Sequence, residues 1–119
     1  MAKILLVDDE PDFVETVEFF LRGSGYQVFV AKNGKEALEQ AEREKPDLVL
    51  MDVMMPEMDG LEACRHLKTD PSLKSIPIIM LTAKGQVQDV KDALAAGAHS
   101  YVVKPFNLPD LVERIEMML

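Results

Sequence analysis

The chain has 119 residues, 48% of them hydrophobic, which suits one domain with its own core and excludes a disordered chain. Its formal charge of -8, with no Lys/Arg block, argues against direct binding to nucleic acid. A single cysteine, Cys64, excludes an internal disulfide and fits a reducing, cytoplasmic setting.

The first apolar run, Ile4–Val7, meets Asp8, Asp9 and Glu10 at once, a layout unlike a secretory signal. Phe13, Val14, Val17, Phe20 and Leu21 then share one face at helical spacing. Pro11 suits the first turn of that helix, and Gly23 with Gly25 ends it. Phe19 falls off the shared face, so the helix is apolar over a wider arc than a core stripe needs. Val28–Ala31 follows as a second strand. Asn33 caps a second helix carrying Ala37, Leu38 and Ala41, which stops before Pro46.

The third strand, Leu48–Met51, delivers Asp52 within "LVLMDVMMPEMDG". Asp59–Gly60 reads as a turn, because glycine permits the positive φ that turns need. Leu61, Cys64 and Leu67 mark a third helix, with Cys64 as a small apolar residue. Lys68–Pro77 reads as a surface loop. The fourth strand, Ile78–Leu81, leads to Thr82 in "PIIMLTAKG", and Val87, Val90 and Leu94 begin a helix ended by Gly97. The fifth strand, Tyr101–Val103, leads to Lys104 in "YVVKPF". The last helix carries Leu108, Leu111, Val112, Ile115 and Leu119.

Most of these strands are continuously apolar, as strands buried on both faces of a parallel sheet are. Strand and helix alternate five times, which predicts an α/β fold with right-handed crossovers and helices on both faces. Residues 1–119 are expected to form one domain. No apolar run reaches the roughly 18 residues of a membrane span. His66 and His99 with Cys64 lack zinc spacing, and His99 is expected at the surface. The methionines Met51, Met54, Met55, Met58 and Met80 suit packing better than soft-metal binding.

In such sheets ligands sit outside the carboxyl ends of the strands. Asp8, Asp9 and Glu10 stand there after the first strand, Asp52 after the third, Thr82 after the fourth and Lys104 after the fifth. Carboxylates gathered at one edge raise each other's proton affinity unless a cation is present. Magnesium, a hard ion that takes oxygen ligands, waters and phosphate oxygens, resolves that conflict. Asp52 then suits a carboxylate nucleophile toward phosphorus. Lys104 and the Thr82 hydroxyl suit two phosphoryl oxygens. Backbone N–H groups near Ala83 suit the same charge, and its small side chain leaves an approach open.

These residues give the chain its resemblance to the receiver domain of two-component response regulators. The resemblance rests on "LLVDDEP", "NGKEAL", "PDLVLMDVMMPEMDG", "IPIIMLTA" and "GAHSYVVKPF", in order across the whole chain. It implies a flavodoxin-like (βα)5 three-layer sandwich with strand order 2-1-3-4-5. It implies Asp52 as phosphoacceptor, with magnesium held by Asp8, Asp9, Asp52 and the backbone carbonyl of Met54. It implies that Thr82 and Lys104 receive phosphoryl oxygens, that Tyr101 is an aromatic switch coupled to Thr82, and that the Lys104–Pro105 bond is cis. The implied donor is a phosphohistidine on a sensor histidine kinase or phosphotransfer protein. Phe13 or Phe19, with Pro105 and Phe106, is expected to dock it. The output partner or effector domain is not named by the sequence.

Receivers that dimerise when phosphorylated tend to carry two acids before the aromatic switch. Here those positions are His99 and Ser100, while Arg114 matches a basic partner, so a monomer is expected, with a phosphorylation-dependent dimer as the alternative. Met54 and Lys84 occupy the positions that tune the phosphoryl lifetime in the family. Met54 cannot orient an attacking water through a hydrogen bond, so a lifetime longer than that of the fastest receivers is expected. Three other functions fit less well. An aspartate-nucleophile phosphatase needs an Asp-x-Asp pattern and a cap, an FMN binder needs a neutral phosphate loop, and a P-loop needs G-x-x-x-x-G-K.

Overall fold

The computed structural model describes residues 1–53, 58–82, 87–104 and 106–119, the side chains of residues 82 and 87–89 excepted. Five strands alternate with five helices. They are β1 (Lys3–Val7), α1 (Pro11–Gly23), β2 (Gln27–Ala31), α2 (Gly34–Glu44), β3 (Leu48–Asp52), α3 (Gly60–Thr69), β4 (Ile78–Thr82), α4 (Val87–Ala95), β5 (Ser100–Val103) and α5 (Leu108–Met118). The strands form one parallel sheet in the order β2-β1-β3-β4-β5. This is the flavodoxin-like arrangement expected from the sequence.

Alternation along each strand divides the core into two layers. Leu5, Val7, Val49, Met51, Ile78 and Met80 face Ala37 and Ala41 of α2, Ala63, Cys64 and Leu67 of α3, and Ala93 of α4. Ile4, Leu6, Val28, Leu48, Leu50, Ile79 and Leu81 face Val17 and Leu21 of α1, with Leu111 and Ile115 of α5. Both faces of β1, β3 and β4 are therefore dry, which explains why those strands read as unbroken apolar runs, while the edge strands β2 and β5 are partly exposed. Among the described residues, no helix is long and apolar enough to cross a membrane.

Local chemistry sets the element ends. Pro11 opens α1, and Gly25, at φ 97, turns the chain beyond it. The Asn33 side chain accepts from Glu36 N at 2.8 Å, while Glu36 Oε1 accepts from Lys32 N at 3.2 Å. Asn107 caps α5 in the same manner, accepting from Asp110 N at 3.2 Å.

Two expectations need correction. Asp59–Gly60 is a helix start rather than a free turn: Asp59 caps α3, accepting from Glu62 N at 2.9 Å. Gly60 is needed for space, since an added Cβ there overlaps the carbonyl oxygen of Asp52. The loop after α3 is more than surface. Leu73 is buried in the core, and Lys68 Nζ donates to the carbonyls of Lys74 at 3.0 Å and Ile76 at 2.6 Å. His99 is exposed as expected, yet its Nδ1 accepts from Ile78 N at 3.3 Å and so ties β5 to the start of β4.

Candidate functional site

The sheet order makes β1 and β3 neighbours, and their register pairs Val7 with Met51. The next residue on each strand is an aspartate, so Asp8 and Asp52 emerge side by side. Asp8 is 1% exposed and Asp52 8%. Asp8 is fixed from both directions: its backbone N–H donates to Ala31 O at 3.1 Å, and its Oδ1 accepts from Glu10 N at 3.0 Å. Asp9 is exposed beside them. One carboxylate oxygen from each of Asp8, Asp9 and Asp52 lies within 4.8 Å of the others.

Lys104 follows β5 at the sheet's edge and reaches back across β4 to this cluster. Its Nζ lies 2.8 Å from Asp8 Oδ2 and 3.7 Å from Asp52 Oδ1. Its side chain is 18% exposed, so the pair sits in a medium poorer in water than the surface, where such contacts are stronger. Among the described residues, the three carboxylates outnumber the one ammonium ion-paired with them, an excess of negative charge that a divalent cation would offset. The oxygen-only donor set fits magnesium and fits soft metals poorly.

Thr82 ends β4, and the register pairs its neighbour Leu81 with Asp52. Tyr101 pairs with Met80 across β4 and β5 and is half-buried against the core layer of α2, α3 and α4. The Thr82 hydroxyl, the Met54 carbonyl, Ala83, Lys84 and Pro105, and with it the Lys104–Pro105 bond, lie outside the described residues. Phe19 is 81% exposed. Phe13 and Phe106 are half-buried and meet edge to face, with ring centroids 5.8 Å apart. Cys64 takes no part in the site. Burial pushes its thiol up to about 11, against the opposing pull of Lys68 and Arg65, so it stays neutral in the core.

Two contacts at the site escaped the sequence reading. The Phe13 ring lies under Lys104 Nζ, 4.1 Å from its centroid. One signal pointed there: Phe13 is in the first turn of α1, four residues after Asp9, and so stands at the carboxyl edge of the sheet. The other contact is Gly60 against the Asp52 carbonyl, for which the sequence carries no separate signal.

Comparison with known proteins agrees with this geometry. The family model of the response regulator receiver domain matches residues 4–116. The alkaline phosphatase synthesis transcriptional regulatory protein PhoP of Bacillus subtilis is 44% identical over 98% of this chain and 48% of its own length. The chain spans about half the length of the curated relatives it matches. A response regulator structure from Chloroflexus aurantiacus superposes with a TM-score of 0.94 at 38% identity, covering 98% of this chain and 96% of that one. The receiver domain of a sensor histidine kinase from Pseudomonas aeruginosa, described with a magnesium ion coordinated in its active-site cleft, superposes with a TM-score of 0.92. It is 35% identical and covers 98% of this chain and 96% of that one. The chain belongs to the receiver-domain family of two-component response regulators.

Proposed function

We propose that this receiver accepts a phosphoryl group on Asp52 and acts as a signalling switch rather than as an enzyme on other substrates. The observation that carries this reading is the meeting of Asp8, Asp9 and Asp52 under the Lys104 ammonium. An Asp52 carboxylate oxygen bonds to phosphorus as the phosphorus–nitrogen bond of a donor phosphohistidine breaks, and the histidine leaves with its electron pair. The product is an acyl phosphate. Lys104 moves from Asp8 toward an incoming phosphoryl oxygen, and Thr82 with the backbone near Ala83 takes the others. Asp8, Asp9 and Asp52, with the Met54 carbonyl, would hold a magnesium ion, which would neutralise the carboxylates and the transferring group. Incubation with magnesium and acetyl phosphate is expected to add one phosphoryl mass, and Asp52→Asn to abolish the gain. A wild-type chain that keeps its own mass sinks the reading.

The donor is a sensor histidine kinase or a histidine phosphotransfer protein. Phe19 lies exposed on α1 beside Asp12, Glu15 and Thr16, and our candidate docking residues are Phe13 or Phe19, with Pro105 and Phe106. Phe19→Glu is expected to slow transfer from a donor protein about tenfold, the size of a modest hot spot, and transfer from a small phosphodonor far less. Kinase-to-receiver transfer timed against acetyl phosphate checks this, and equal slowing of both overturns it.

The output is a changed α4-β5-α5 surface, with Thr82 drawn toward the phosphoryl group and Tyr101 filling the space. Residues 1–119 form one domain, and this domain itself does not contact nucleic acid, whatever an effector domain or partner does. Support for a monomer comes from Arg114, whose Nη1 donates to Ser100 Oγ at 2.8 Å within the chain. Arg114 is thus already engaged at the position where dimerising receivers carry an acid.

A further inference from the structure

Lys104 has a long route to its task. It leaves β5, at the edge of the sheet, and must set its ammonium between β1 and β3, two strands further in. A lysine side chain is flexible, and its ion pair with Asp8 uses the same N–H groups that a phosphoryl oxygen needs. A carboxylate that held the lysine more tightly would compete with the substrate. The structure contains a holder of another kind. The Phe13 ring lies 4.1 Å from Lys104 Nζ, within the range in which a ring face attracts an ammonium. A ring face draws the charge without engaging a particular N–H in a strong hydrogen bond. Phe106 meets the same ring edge to face, at 89°, and fixes its plane. The clamp therefore joins the first turn of α1 to the segment after β5.

We propose that Phe13 is the positioning residue of Lys104, its ring face keeping the ammonium over the site while the N–H groups pass from Asp8 to a phosphoryl oxygen. This rests on Asp52 being the acceptor. The effect is on rate through Lys104, because Phe13 itself touches no reacting atom.

The experiment uses the full chain with magnesium and phosphoramidate, a small donor that bypasses protein docking. Phe13→Leu is expected to lower the second-order rate constant of phosphorylation about fivefold, the scale of one cation–π contact. Phe13→Tyr, which keeps the ring, restores most of the rate. Mono-, di- and trifluorophenylalanine at position 13 weaken the ring's pull on a cation with little change of shape. They are expected to lower the rate in graded steps at an unchanged melting temperature. Rates that ignore fluorination, or that fall only as melting temperature falls, overturn the proposal. A second readout is independent of phosphorylation. The Lys104 ε-methylene protons are expected to be shifted upfield by the ring and to return to ordinary values in Phe13→Leu. No upfield shift overturns the contact itself, whereas a shifted lysine in a chain that takes no phosphoryl group overturns only the acceptor reading.

Discussion

Lys104→Met is expected to destabilise the chain by about 3 kcal/mol in the absence of divalent ions, the usual cost of breaking a buried ion pair. Methionine keeps much of the apolar stem that packs toward Phe13, so the change removes charge more than volume. What remains is Asp8, 1% exposed, facing Asp52 and Asp9 with no ammonium between them. Urea unfolding in EDTA measures the loss. Magnesium is expected to stabilise the variant more than the wild type, because the variant has more negative charge left to neutralise. Phosphoryl uptake from a small donor falls about a hundredfold, the typical cost of removing one preorganised charge contact from a transition state. A variant as stable as the wild type in EDTA contradicts the view that Lys104 balances these acids.

Gly60→Ala is expected to destabilise the fold by about 2–4 kcal/mol. The new Cβ meets the Asp52 carbonyl, which is backbone and cannot swing aside, and also crowds the Met80 side chain at 2.9 Å. The start of α3 is held there by Gly60 N donating to Val53 O at 2.9 Å and by the Asp59 cap. The strain is relieved only by moving α3 or the end of β3, and the latter carries the acceptor. Phosphoryl uptake therefore falls together with the melting temperature. Gly23→Ala is the control. It lies at the end of α1 with nothing within 4 Å of an added Cβ, and is expected to change stability by less than about 1 kcal/mol. Equal melting temperatures for the two variants overturn the argument.

The sheet was legible because both faces of its central strands are dry. Unbroken runs such as Ile4–Val7 and Leu48–Met51 have no solvent face to break them, and their order fixed which tips are adjacent. Strand ends were read one residue short at Lys3, Gln27, Asp52, Thr82 and Ser100, where the ladder is carried by backbone and the side chain gives no apolar signal. The aspartates were legible as a group because Asp8 and Asp9, which alone could merely cap the first helix, share the sheet's carboxyl edge with Asp52 and Lys104. Lys104 alone is an ordinary lysine. Its ion pair with Asp8 and its contact with Phe13 span most of the chain and exist only once the sheet has formed. Gly60 misled because glycine serves both positive φ and close approach, and a sequence does not say which. The positive-φ glycines among the described residues are Gly25 and Gly97. Leu73 sat in a segment whose Asp70, Pro71 and Ser72 read as surface, yet it is buried in the core, and Lys68 ties the same segment through the Lys74 and Ile76 carbonyls.

Once neutralised, the acids of β1 and β3 let Asp52 bond to phosphorus. The most direct measurement traps the bond. The chain is incubated with phosphoramidate in magnesium or in EDTA, reduced with borohydride to convert any aspartyl phosphate to homoserine, and mapped by tandem mass spectrometry. Homoserine is expected at position 52 in magnesium, with only a trace in EDTA. Homoserine at another aspartate, or at none, contradicts it.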